Sequence, residues 1–207
     1  MNPVLVEYIE REILPRYAQF DAAHREDHAR AVIAQSLQLA PYYNVKEDMV
    51  YAIAAYHDTG LAVDRKTHHW ESGRIIRNDK KLQEWFTPAE IETMAQAAED
   101  HRASSEHEPR SIYGKIVAEA DRLIDADVII RRTIQYGLEH YPELSREGHL
   151  ERTIEHLQQK YSRTGYLKLW IPESPNAERL HALWQLMDHT DELILKINKE
   201  LDACGKF

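Results

Sequence analysis

His57 and Asp58 stand side by side at the end of an apolar helical run, YAIAAYHDTG. An imidazole and a carboxylate adjacent at a helix end can turn toward one point, and that donor pair suits a divalent cation. Further candidates follow in order along the chain: His28 in DHARAV upstream, then His69, His101, and Asp121 in AEADRL. Arranged as His … His-Asp … His … His … Asp, they could hold one or two metal ions inside a helical bundle. Taken singly each is a weak signal, because a lone helical histidine usually belongs to the surface or the core. The set is stronger, since every member falls near a helix end or on an apolar face. Asp121, flanked by KIVAEA and LIDA, is expected to be partly buried. A buried carboxylate needs a counter-charge, which a cation supplies.

The elements that must position these groups read as helices almost throughout. Only seven glycines occur in 207 residues and alternating strand patterns are missing, so the fold class is all-α. Helices are expected at about 3–14, ended or kinked by Pro15, at 27–39, at 46–57 with Gly60 as its stop, and at 68–78. Thr87-Pro88-Ala89-Glu90 is a capping box with proline in the first turn, opening a helix that runs to about His101. Helices at about 112–123, 127–139 and 145–161 follow a polar loop at 103–111. In the irregular stretch 164–176, Tyr166 and Trp170 read as packing aromatics rather than as a lid over a bound base. A last helix at about 177–201 places Leu180, Leu183, Trp184, Met187, Ile194 and Ile197 at helical spacing. The expected organisation is a single all-helical domain over 1–207, with a core at about 20–130 and a C-terminal helical extension at about 131–207.

Composition narrows the function. An apolar fraction of 43% supports a packed core, and no run approaches the roughly 18 apolar residues of a membrane span. A net charge of −9 repels a phosphate backbone, so general nucleic-acid binding is not expected, nor is membrane association. A small phosphorylated ligand can still enter a locally basic or metal-filled pocket. The 12 histidines raise the prior for metal binding. A single cysteine, Cys204, excludes an internal disulfide and a multi-cysteine metal site. With no cleavage site in the acid-bearing N-terminal stretch, the cytoplasm is the expected location. Oligomeric state is not set by the sequence.

The ordered set, from HREDHARAV through YHDTG to KIVAEADRL, resembles the HD-domain superfamily of metal-dependent phosphohydrolases. The likeness covers about 20–130, and the His24-x3-His28 spacing resembles that of some uncharacterised bacterial members. It implies that His28, His57, Asp58 and Asp121 bind a first metal, with Asp58 the catalytic residue. Some branches add two histidines and a second metal. Their pattern of a histidine four residues before a helical glycine falls on His69 in HWESG, where neighbouring His68 could substitute or both could lie on the surface, and the later one on His101 in EDHRAS. His24, four residues before His28, would steady a ligand or touch phosphate. One departure stands out: nucleotidase members carry glutamate, and dinuclear phosphodiesterase members often lysine, where this chain has Leu61.

The resemblance implies a hydrolase that attacks a small phosphorylated molecule, expected to be a nucleotide, with metal-activated water. Histidine and carboxylate donors without thiolate suit Mn, Fe, Co, Ni, Zn or Mg, one or two ions per chain. Lys115 and Arg122, near Asp121, and Arg65 and Lys66, before His68, are the candidate phosphate-binding cations. Two other functions are carried alongside: a catalytically silent ligand-binding or regulatory module, which Leu61 keeps open, and a di-iron oxygenase of HD type.

Overall fold

A computed structural model describes residues 1–20, 26–105 and 107–204. Among them are ten α-helices and no strand: α1 (Pro3–Tyr8), α2 (Glu26–Leu39), α3 (Glu47–Tyr56), α4 (His68–Asn78), α5 (Pro88–Glu99), α6 (Ile112–Asp121), α7 (Ala126–His140), α8 (Arg146–Tyr161), α9 (Asn176–Asp188) and α10 (Thr190–Ala203). They gather into two compact units, one of Met1–Leu123 with Leu169–Ser174, the other of Ile124–Lys168 with Pro175–Phe207.

The first unit is built round α3. Every residue from Met49 to Tyr56 is buried, as expected of a helix apolar on all sides. Ala52, Ala54 and Ala55 keep its girth small, and α2, α5 and α6 pack against it. Burying side chains such as Ile53 and Met94 contributes roughly 1.5–3 kcal/mol each, and this packing is what carries His57 and Asp58 into the interior. α5 starts with the expected capping box, Thr87 Oγ1 accepting from the Glu90 amide and Glu90 accepting from the Thr87 amide at 2.8 Å. Leu169–Ser174 packs on the same unit. Its Trp170 and Ile171 amides donate to the buried Glu119 carboxylate of α6, at 2.6 and 3.4 Å, while Ile171 joins Leu39, Val50 and Ile116. Trp170 therefore packs as expected, whereas Tyr166 is exposed.

Gly60 explains how α4 comes so near the HD turn. A Cβ there would lie 2.0 Å from the His68 carbonyl oxygen and 2.6 Å from the Ser72 amide nitrogen, both backbone atoms. The Gly60 amide instead donates to Ser72 Oγ at 2.9 Å.

Both ends depart from the sequence reading. The first helix stops as an α-helix at Tyr8, widens through a π turn at Ile9–Ile13 and tightens to 3₁₀ over Leu14–Gln19. Pro15 enters at the start of that 3₁₀ stretch, where its missing N–H is tolerated, so the turn changes pitch instead of ending. The expected long helix at 177–201 is two helices. His189 leaves helical geometry (φ −97°, ψ 74°) between them. The buried apolar positions are Leu180 and Leu183 on α9, then Leu193, Ile197 and Leu201 on α10. The spacing of Met187 from Ile194, seven residues, had made two stripes look like one. In the second unit α7 packs on α8 and α10, and Asp125 and Ser145 cap the starts of α7 and α8.

Candidate metal centre

α2, α3, α4, α5 and α6 each deliver a group to one place. The Asp58 carboxylate lies in the middle. Its Oδ2 is 3.3 Å from His57 Nε2 and 3.7 Å from His28 Nε2. Its Oδ1 is 3.3 Å from His101 Nε2 and 3.5 Å from His68 Nε2. Asp121 Oδ1 approaches the first pair, 3.1 Å from His28 Nε2 and 3.8 Å from His57 Nε2. Two donor groups therefore share Asp58: His28 with His57, and His68 with His101, each set of ligand atoms within 4.8 Å of one another.

One local device aims three of the rings. His57, His68 and His101 each donate Nδ1–H to the carbonyl three residues earlier, on Ala54, Arg65 and Ala98, at 2.7, 2.8 and 2.5 Å. A carbonyl can only accept, so the proton is on Nδ1, and each Nε2 of the neutral ring presents a lone pair. The Nε2 atoms of His68 and His101 then face each other at 3.3 Å, beside Asp58 Oδ1. Buried His57 Nε2 has no hydrogen-bond partner among the described residues. Lone pairs converging this closely repel unless a proton or a cation lies among them. Separations of about 3–3.5 Å are those expected of two ligands on one ion with bonds near 2.1 Å. The residues fit a divalent metal.

The carboxylates favour positive charge at this place, which at His57 is a proton when no cation is bound. Burial pulls the His57 imidazolium down, but Asp58 and Asp121 outweigh it and raise its pKa to about 9. Burial works against the Asp58 carboxylate, yet His57 and His101 hold it well below the usual range. Asp121 is likewise depressed despite its burial, chiefly through His28. His68, pushed down by burial and by His101, is disposed to remain a neutral donor.

Of the sequence-predicted set, His28, His57, Asp58, His101 and Asp121 come together. His69 is in neither of the two donor groups, whereas its neighbour His68 is in the second. Neighbours on a helix point about 100° apart, so only one of the two can face the cluster. His69 instead has its imidazolium lowered to about 4 by burial and by His101 and His68. His24 lies outside the described residues. Arg122 is buried rather than open to a ligand: it donates to the His101 carbonyl at 2.9 Å, with Asp121 Oδ2 4.0 Å away, and so holds two site elements together. Lys115 pairs with Glu108 at 2.5 Å. It lies six residues, about 9 Å of helix rise, before Asp121. Lys66 and Arg65 are exposed on the loop before α4.

The sequence reading missed Arg102, Glu99, Asp100 and Tyr17. Arg102 donates to the Lys66 carbonyl at 3.1 Å, and its charge acts on His68 and His69. Buried Glu99 and Asp100, just before His101, are clamped by Arg110, and Glu99 also by Arg77 of α4. Tyr17 touches the HD turn itself, its hydroxyl 2.9 Å from the Ala55 carbonyl and 3.2 Å from the Asp58 amide. The run EDHR was a visible signal for a charged cluster at the end of α5; nothing in the sequence marked Tyr17.

The family model described as HD domain matches residues 25–125. No curated protein and no solved structure matches the chain significantly.

Proposed function

Because the chain belongs, through residues 25–125, to the HD-domain superfamily, we propose that it is a metal-dependent phosphohydrolase acting on a small phosphorylated molecule, with a nucleotide the leading class. The supporting observation is the Asp58 carboxylate, whose two oxygens face two separate histidine pairs. We assign His28, His57, Asp58 and Asp121 to one divalent ion and Asp58, His68 and His101 to a second. Such ions, when bound, lower the pKa of water and draw charge from phosphoryl oxygens. The chain's own contribution is to fix the donors. The three Nδ1–H bonds to Ala54, Arg65 and Ala98 select the tautomer and hold the rings in place. Burial of His57 and Asp58 keeps bulk water from screening the site. Arg102, Arg65 and Lys66 supply positive charge on the His68 side, where an incoming phosphate needs it.

Metal analysis of the purified protein, joined to a screen of phosphomonoesters, phosphodiesters and nucleotides with each divalent ion, tests the proposal. Turnover that Asp58→Asn abolishes is the expected result. Leu61, half-buried and unable to act as acid, base or phosphate contact, favours one second reading, a silent ligand-binding module. Tight nucleotide binding without turnover under every metal would establish that module and remove the hydrolase.

A further inference from the structure

α3 ends where the HD pair begins, and a helix end leaves carbonyls without intrahelical partners. Here three successive carbonyls are each satisfied by a side chain. Ala54 O accepts from His57 Nδ1 at 2.7 Å, Ala55 O from the Tyr17 hydroxyl at 2.9 Å, and Tyr56 O from Thr59 Oγ1 at 2.7 Å. His57 and Thr59 belong to the turn itself. Tyr17 comes from the 3₁₀ stretch Leu14–Gln19, upstream of the segment that the family model matches.

The Tyr17 hydroxyl also meets the backbone on the far side of the HD pair. The Asp58 amide donates to it at 3.2 Å, so one oxygen ties the backbone on both sides of the dipeptide. Asp58 sits at φ −109°, ψ 4°, outside regular helix, and has left the α3 ladder. Its ring placed by Phe20, which meets it edge-on at 5.3 Å, and fully buried, Tyr17 has no solvent to bond instead. Its centroid is 6.4 Å from that of His57.

We propose that Tyr17 is a positioning residue of the metal centre: its hydroxyl, bridging Ala55 O and Asp58 N, sets the angle at which Asp58 presents its two carboxylate oxygens. The functional unit then begins before residue 25, with the N-terminal 3₁₀ stretch as part of the site. This inference rests on the metal-centre assignment made above.

Titration of the full chain with Mn²⁺ tests it, by calorimetry and by ions retained per chain after gel filtration. Tyr17→Phe removes one oxygen and keeps the ring. Its Mn²⁺ affinity is expected to fall about tenfold or more, the effect typical of losing a group that orients a ligand. Activity is expected to return at raised Mn²⁺. Tyr56→Phe is the control. It also deletes a buried hydroxyl, from α3, but one bonded to Asp79 at 2.5 Å. A merely structural role for Tyr17 predicts that both variants melt earlier and that neither changes Mn²⁺ affinity; that outcome overturns the proposal. Should Tyr17→Phe not fold, Phe20→Leu loosens the ring while leaving the hydroxyl, and a smaller affinity loss is expected. Unchanged affinity in that variant counts against the proposal. If the wild-type chain binds no Mn²⁺ or other divalent ion, the metal-centre assignment itself fails. If it binds and Tyr17→Phe binds equally well, only the role of Tyr17 fails.

Discussion

At the scale of single residues, the choice between His68 and His69 is the sharpest test of the site. His68 Nε2 is 3.5 Å from Asp58 Oδ1, and its Nδ1 is tied to Arg65. His68→Ala should therefore remove one ion of two and lower kcat by at least tenfold. His69→Ala should leave metal content unchanged, and elemental analysis of both variants distinguishes the two positions. Arg102→Ala should raise KM more than it lowers kcat, because its charge lies beside the histidines without replacing a ligand; steady-state kinetics on any accepted phosphoester checks this. The sequence made His28, His57, Asp58, His101 and Asp121 legible because order and apolar surroundings identify them without knowledge of helix phase. His68 and His69 could not be separated that way. Which of them faces inward depends on where α4 starts and on how closely it meets Gly60, and adjacent sequence positions carry no record of either. Tyr17 was invisible for a different reason: a tyrosine that orients a backbone turn has the same sequence neighbourhood as one that fills a core.

At the scale of elements, the closeness of α4 to the HD turn governs the second donor group. Any side chain at Gly60 meets backbone at 2.0 Å, and a helix cannot yield there as a flexible side chain would. Gly60→Ala should cost about 2 kcal/mol or more and, by displacing α4, lose the ion assigned to His68 before the one assigned to His28. Urea unfolding with metal counting on the same sample reads both effects. The start of α5 is a test with no link to the centre. Thr87→Ala should cost about 1 kcal/mol. Lys46, followed by the Thr87 amide, holds the Glu90 carboxyl down at about 2. A depressed carboxylate contributes stability above its unfolded value, near 4.3, and loses it as pH falls toward 2. Wild type should therefore lose a small increment of stability between about pH 5 and pH 2 that Glu90→Gln lacks, measurable as a convergence of their melting temperatures. The capping box was readable because its signal is local and chemical. The break at His189 was not, because two apolar stripes in near-register imitate a single long helix.

At the scale of the whole molecule, the chain's two units differ in what an ion can do for them. All the proposed donors belong to the unit of Met1–Leu123 with Leu169–Ser174. The all-α class and the extent of the HD-type segment were legible from helix signals and the ordered ligands. The return of Leu169–Ser174 to the first unit was not, since it depends on a buried carboxylate, Glu119, accepting two amides some fifty residues away. In that unit His57, His68 and His101 converge with Asp58 and Asp121 on one place, and only the folded chain presents these donors together to a cation. Binding therefore favours the folded state, by about 2.7 kcal/mol when the free ion is at 100 times its dissociation constant. The second unit, α7 to α10, contributes no proposed ligand and should not respond directly. Hydrogen exchange with and without Mn²⁺ reads the units separately within the intact chain. Slower exchange is expected in α2, α3, the start of α4, the end of α5 and α6, reversed by chelator, with little change in α8 to α10. Uniform protection across all ten helices would mean that the ion stabilises the chain other than through these donors, and the assignment of ligands would have to be abandoned.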